Sequence, residues 1–338
     1  MKTKNYFKIY LKRKPVQLAR HTVQLLFSLF LLYVGMQFYQ FYMHFATGAG
    51  PFVERPAAVE GFLPISALVS FKVWVLTGEF DTIHPAGLVL FMIFVGSGLL
   101  LRKSFCSWFC PVGTISEFTG ALGQKILGRT FNPPTWLAYP LYTLKYLLLF
   151  FFIKIVVFDM PVLASAQFLQ TDYNKVSDIK MLLFFLDISY FSLKVIIVLF
   201  ALSLFVKNFW CRYLCPYGAL IGLGSLFGIT KIKRNENTCI SCHQCTRVCP
   251  QGIRVSEKKA VLTPECSSCM QCVEACPIKD TLNMTVGPKK VNKWVVPVSF
   301  LLLFALSVLA AKLMGYWETS ISYEEFKFLI PYVDSINH

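Results

Sequence analysis

Cys239-Ile-Ser-Cys242-His-Gln-Cys245-Thr-Arg-Val-Cys249-Pro250 and Cys266-Ser-Ser-Cys269-Met-Gln-Cys272-Val-Glu-Ala-Cys276-Pro277 repeat one spacing, Cys-x2-Cys-x2-Cys-x3-Cys-Pro. A [4Fe–4S] cube requires such a spacing: three thiolates from one tight loop grip one face, and a more distant fourth closes the other. Where two runs stand in tandem, the fourth cysteine of each serves the other cluster. The spacing therefore predicts Cys239, Cys242, Cys245 and Cys276 around a first cluster. Cys266, Cys269, Cys272 and Cys249 are predicted around a second. A pair of zinc sites fits poorly, because zinc takes four ligands and does not call for two interlocked runs, each closed by proline.

Outward from these runs the chain turns apolar. It has 338 residues, of which 55% are hydrophobic and only 15% charged, with 32 Phe. Windows near 22–43, 85–101, 136–158, 183–206 and 294–311 match the roughly 17 to 25 residues that cross a bilayer as helix. They predict five spans and exclude an ordinary soluble protein. The first stretch is too long for a signal-peptide core and reads as an uncleaved anchor. Lys2, Lys4, Lys8, Lys12, Arg13, Lys14 and Arg20 precede it, and further basic residues collect around 102–129, 207–234 and 289–293. The intervening loops 44–84 and 159–180 are balanced or acidic. By the positive-inside bias, the N-terminus and the cysteine-rich segment face the cytoplasm and the C-terminal tail lies outside, in a bacterial inner membrane. The net charge of +15 is spread along the inner span ends, so the expected partner is anionic membrane lipid and no nucleic acid.

A second repeat carries the remaining four cysteines. Lys103-Ser-Phe-Cys106-Ser-Trp-Phe-Cys110-Pro111-Val-Gly113 aligns with Asn208-Phe-Trp-Cys211-Arg-Tyr-Leu-Cys215-Pro216-Tyr-Gly218, and Gly123 and Gly228 extend the match. On a helix, Cys-x3-Cys puts both sulfurs on one face. Bringing the copies together predicts one shared centre at Cys106, Cys110, Cys211 and Cys215, with iron–sulfur, iron, zinc or Cu(I) as occupants. Disulfides are disfavoured in a reducing compartment.

The expected fold class is mainly α: a polytopic membrane protein with a tandem two-helix repeat and an inserted α+β 2[4Fe–4S] ferredoxin domain. The expected segments are a basic cytoplasmic arm (1–20), two membrane repeats (21–135 and 136–230), the cytoplasmic ferredoxin domain (231–287), and a fifth span with a short outer tail (288–338).

Charges inside apolar windows are functional candidates by default. Lys145, about ten residues into the third span, is predicted near mid-membrane, with an anionic metal centre, Asp187 or a quinone oxygen as partner. Lys194 and Asp187 are placed on nearly one face of the fourth span. The loop 52–80 reads as a broken amphipathic element, either a packing lid or part of a quinol pocket with Glu60 as proton acceptor. His44 and His84 lie at span ends, but the other spans lack histidine, which disfavours a bis-histidine haem. Ser322-x-x-Glu325 reads as a capping box opening a short helix.

With Arg55-Pro56, Val59-Glu60-Gly61-Phe62-Leu63-Pro64 and both cysteine repeats, the chain resembles the membrane-bound polyferredoxins of the NapH, NosR and CcoG type, most of all their NapH-like and YccM-like members. The resemblance covers nearly the whole chain. It implies an electron carrier coupled to the quinone pool or to a respiratory reductase, a quinol dehydrogenase-type subunit with an unidentified redox partner. The flavin-bearing domain of NosR-like relatives and the extra outer domain of CcoG-like ones find no counterpart in the sequence. The competing reading is a copper reductase or metal-centre assembly factor that uses the Cys-x3-Cys-Pro thiols.

Overall fold

The computed structural model describes residues 14–48, 50–128, 131 and 133–336. Residues 1–13 of the expected basic arm lie outside them.

The longest helix, Pro15–Thr47, opens on a proline, whose fixed φ and missing N–H suit a first helical turn. Its side chains are apolar nearly all round, and Leu25, Leu32 and Met36 are at least 60% exposed. A helix that presents so much hydrocarbon outward is built for lipid. Trp136–Asp159 and Val295–Leu313 are also long and apolar enough to cross a membrane. The chain is a membrane protein.

Two of the five expected spans differ from a straight crossing. Pro85–Leu101 has 17 residues, about 26 Å at roughly 1.5 Å per residue, against a core of about 30 Å. The expected fourth span is broken: Ser177–Leu186 and Tyr190–Phe205 meet at 79°. Asp187 ends the first piece with φ −117° and ψ 64°, outside the helical region. Asp187 and Lys194 therefore do not share a helix face, because the face argument needs an unbroken 3.6-residue period. Lys194 Nζ instead lies 4.2 Å from the Tyr190 ring centre.

The chain forms two compact units, and neither follows the sequence segments. The first comprises residues up to Ser28, Phe94–Leu149 and Ile197–Leu303; the second comprises Leu29–Ile93, Phe150–Ile196 and the residues from Phe304 onward.

In the first unit, strands β1 (Thr230–Arg234), β2 (Ala260–Val261), β3 (Leu282–Val286) and β4 (Lys289–Val291) form an antiparallel sheet in the order β2-β1-β3-β4. Ile232 pairs with Val261 on one side and Met284 on the other, and all three are buried. The period-2 alternation of the strands turns this row inward. Both cysteine runs lie in the connections between these strands.

In the second unit, the expected amphipathic loop is mostly helical. A 3₁₀ turn, Ala57–Phe62, leads into Pro64–Thr77, which stops at Gly78 with φ +79°. Val69 and Val73 pack against Val156 and Leu169. The core of this unit gathers Val34, Phe38, Phe41, Phe45, Val176 and Ile179 around Phe326, Leu329 and Ile330 of the tail. The tail helix Tyr323–Leu329 starts at the expected cap, with Ser322 accepting from the Glu325 N–H at 3.2 Å, while the Glu325 carboxylate pairs with Lys175 at 2.7 Å. Its Phe326 ring meets Phe41 edge-on, 5.1 Å between centres.

Candidate iron–sulfur and thiol centres

The two ferredoxin-like runs bend alike. Ser241 and His243 in the first, and Ser268 and Met270 in the second, hold φ between 51° and 61°. Four non-glycine residues in the sparsely populated left-handed region, at matching positions, make two tight wraps whose backbone amides form anion-binding concavities. Short helices follow, Gln244–Arg247 and Gln271–Ala275.

Each wrap lines a cavity. One is bordered by Cys239, Cys242, Cys245 and Cys276 with Ile240, Pro277, Ile278 and Leu282. The other is bordered by Cys249, Cys266, Cys269 and Cys272 with Ile232, Ile253, Val255 and Val261. The spaces they border are nearly equal, about 360 and 340 Å³ counting the part open to solvent. Each therefore takes three cysteines from one run and the fourth from the other. Burial pushes the Cys249 thiol up to about 12 and Cys272 well above its ordinary value, with neighbouring cysteines adding to both shifts. The raised thiols, Cys249 and Cys272 among them, favour the neutral form. Ligation by thiolate must then expel protons, the behaviour expected of a metal-binding set. The donor set, apolar lining and amide wraps fit cubane clusters.

The Cys-x3-Cys-Pro copies also adopt one shape. Ser104–Trp108 and Phe209–Tyr213 are single helical turns, and the second cysteine of each pair lies beyond them. Cys110 (ψ 118°) and Cys215 (ψ 106°) are extended, each the N-cap of a helix that opens on Pro111 or Pro216. The two sulfurs of a pair therefore do not share one helix face. The residue before proline is driven out of the α region, so the proline that follows each cysteine forbids it. The N-cap position instead gives that sulfur the amides of the next helix: Gly218 N–H donates to Cys215 Sγ at 3.2 Å. Glycine is needed at the matching Gly113, where a Cβ would fall 2.4 Å from the Cys106 carbonyl oxygen.

The two copies come together. Cys211 lies within electrostatic reach of Cys106, Cys110 and Cys215, and Cys106 of Cys215. Burial raises Cys106 to about 11, Cys110 to about 12 and Cys211 well above its usual value. The thiols gather without closing on one point: among the described residues, no three His, Cys, Asp or Glu side chains stand ready to hold a single metal ion. A cube is less demanding, since each thiolate binds a different iron.

Lys145 is buried in the first unit, with Glu265 of the second cysteine run as its partner and not Asp187. Lys103 Nζ lies 3.6 Å from the same carboxylate, and Tyr146 donates to its other oxygen at 2.9 Å. Arg20, fully buried, pairs with Glu117 at 2.5 Å, and Glu117 also accepts from Gln271 at 2.9 Å. Arg20 and neighbouring His21 hold Glu117 far below the usual carboxylate range despite burial.

Glu60 lies in the second unit, completely buried. Its Oε1 accepts from Arg55 at 2.8 Å and its Oε2 from the Gly87 N–H at 2.8 Å. Arg55 Nε donates to Asp178 at 2.7 Å. His84 Nδ1 lies 3.6 Å from Glu60 Oε1, while its Nε2 lies 2.7 Å from the Asn174 carbonyl oxygen. Lys103 and Glu265, like Arg55 and Asp178, meet across more than a hundred residues, so no spacing in the sequence joined them.

Comparison with known proteins agrees with this chemistry. A family profile described as "4Fe-4S binding domain" matches residues 83–130 and again 188–235, and one described as "4Fe-4S dicluster domain" matches 231–277. No solved structure matches. The chain is 26% identical to the ferredoxin-type protein NapH of Escherichia coli K12, over 54% of this chain and 68% of NapH. It is 31% identical to protein NirI of Paracoccus denitrificans, over 62% of this chain but only 31% of NirI. To the putative electron transport protein YccM of Escherichia coli K12 it is 39% identical, over 94% of this chain and 91% of YccM. Sulfur sites and likeness together make this chain a member of the NapH/NosR/YccM family of ferredoxin-type, iron–sulfur electron transport proteins.

Proposed function

We propose that the chain is a relay that moves electrons between the quinone pool and a respiratory reductase or other redox partner. The observation that carries this reading is the crosswise lining of the two cavities, each with three cysteines of one run and the fourth of the other. Cys239, Cys242, Cys245 and Cys276 hold one [4Fe–4S] cluster in this reading, and Cys249, Cys266, Cys269 and Cys272 the other. When bound, such clusters supply one-electron capacity at a potential set by burial and by hydrogen bonds to sulfur. The chain's own part is to exclude water with Ile232, Ile253 and Val261 and to aim backbone amides at the sulfurs.

Cys106, Cys110, Cys211 and Cys215 form a third centre in the proposal. Their spread, and the profile matched by both copies, favour an iron–sulfur cluster over a lone ion. The basic flanks of the spans put the N-terminus and the cluster segment on the cytoplasmic side and the tail outside. Glu60 and Lys145 are both engaged by protein partners. They serve as charge sites, and neither is assigned to the quinone.

The gathered thiols also keep a second reading open to trial, a copper reductase or assembly factor. Anaerobically purified protein decides between them. Iron near twelve atoms per chain, with signals that titrate and respond to menaquinol, supports the relay. Bound copper with Cu(II) reduction supports the alternative, and folded protein without iron overturns both.

A further inference from the structure

The two cluster cavities differ in what grips them. The first run keeps its side-chain hydrogen bonds, among the described residues, within the sheet-bearing segment 230–291: His243 to Ser256, Arg247 to the Cys242 carbonyl, and, just before the run, Thr238 to Thr281. The second run is held from outside, by the Cys-x3-Cys-Pro copies and the elements beside them. Ser107 Oγ–H, inside the first copy, donates to the Ser267 carbonyl at 2.6 Å. Lys103 and Lys145 close on Glu265, the residue before Cys266. Gln17 donates to the Cys269 carbonyl at 2.8 Å. At Gly222, in the helix after Cys215, a Cβ would fall 2.9 Å from the Pro264 carbonyl.

The second copy reaches the same cavity from the other side. Arg212, between Cys211 and Cys215, is buried, and its Nη2 donates to the Tyr142 hydroxyl at 3.0 Å. That hydroxyl donates in turn to the Gln251 carbonyl at 3.2 Å, two residues past Cys249. Exposure at equivalent positions follows the same asymmetry. Ile240, after Cys239, is 61% exposed, whereas Ser267, after Cys266, is 3% exposed.

We propose that the four-cysteine centre exchanges electrons directly with the cluster site of Cys249, Cys266, Cys269 and Cys272, and with the site of Cys239, Cys242, Cys245 and Cys276 only through it. Ser107 and Ser267 each follow a ligand, Cys106 and Cys266. The two ligand loops therefore approach to within roughly 15 Å, Cα to Cα, counting about 3.8 Å for each peptide step. That is about half the roughly 30 Å of a bilayer core. The transfer is a single electron: one centre is oxidised, its neighbour is reduced, and no bond or proton changes place. Glu265 is a positioning residue, since its bridge to Lys103 and Lys145 fixes the Cys266 loop against the thiol cage. The solvent-facing site is then the exchange point for a soluble or peripheral partner.

The inference rests on the relay reading above, and iron counting separates their failures. In the full-length protein, reduced anaerobically with dithionite, the EPR signal of the four-cysteine centre is expected to be broadened by its neighbour. Cys242→Ser should keep that broadening, and Cys269→Ser should abolish it. The reverse pattern, or loss in both, overturns the proposed order. Iron near eight with no third signal overturns it by removing the centre, while the two-cluster relay stands. Glu265→Gln, at full iron content, should shift the midpoint potential of the Cys249/Cys266/Cys269/Cys272 site and leave the other unmoved. Equal shifts in both would show a general loosening and count against the positioning role.

Discussion

In the first unit the buried groups that matter are sulfurs, gathered by twelve cysteines that all fall within its boundaries. In the second they are an arginine, two carboxylates and an imidazole, and it has no cysteine. The difference lies in how each set is neutralised. Raised thiols stay protonated until a metal displaces the protons, so the first unit is completed from outside by iron. Arg55 stands between the Glu60 and Asp178 carboxylates and beside His84, so the second unit carries its counter-charges within the fold. Cofactor loss should therefore weaken one unit and spare the other.

The largest effect expected comes from removing a ligand of the gripped cavity. Cys269→Ser should cost one cluster, about four irons per chain, with the second unit still folded by hydrogen exchange. Retention of all iron would break the cavity assignment. Next in size, Arg55→Leu strands Glu60 and Asp178 without their cation at 0% and 1% side-chain exposure. Breaking a buried ion pair costs about 3–5 kcal/mol. Thermal unfolding in detergent should show that loss while iron per folded chain stays constant, and a shift below about 1 kcal/mol would erase the contrast between the units.

A smaller effect follows from pH. Burial pushes His84 down, but the hydrogen bond and charge of Glu60, aided by Asp178, hold it above its ordinary value. A raised folded value means that its contribution is full below about pH 6.5 and fades as pH rises through the folded value. Burial pushes Glu60 up, but Arg55 and His84 hold it below the usual range, so its contribution is lost as pH falls through the acid range. Exchange protection of Ala57–Phe62 and Ser177–Leu186 should thus decline as pH rises above about 6.5. His84→Asn should flatten that slope, and an unchanged slope would remove His84 from the account. Smallest of all, Lys154→Ala breaks a half-exposed pair with Asp159. It should cost under about 1 kcal/mol in the same melts.

Much of the first unit was legible from spacing. Ligand sets repeated at fixed intervals, and a duplicated Cys-x3-Cys-Pro, are local patterns, and local patterns survive in a one-dimensional reading. Even the departure of Cys110 and Cys215 from their helices was written in the prolines that follow them. Glu265 was not legible, because Lys145 stands 120 residues away and no spacing rule joins them. The break at Asp187 was hidden for another reason. An apolar run has the same composition whether straight or bent, and backbone geometry alone separates the two.

The amino-acid sequence by itself determined that the chain lives in lipid and carries thiol sets suited to iron, since both depend on residue type and interval. Tertiary structure alone decided which cavity the duplicated motifs grip, and that Glu60 is sealed into an ion-pair cluster around Arg55. Those outcomes depend on which distant side chains meet once water is excluded, and burial sets the cost of leaving any of them unpaired.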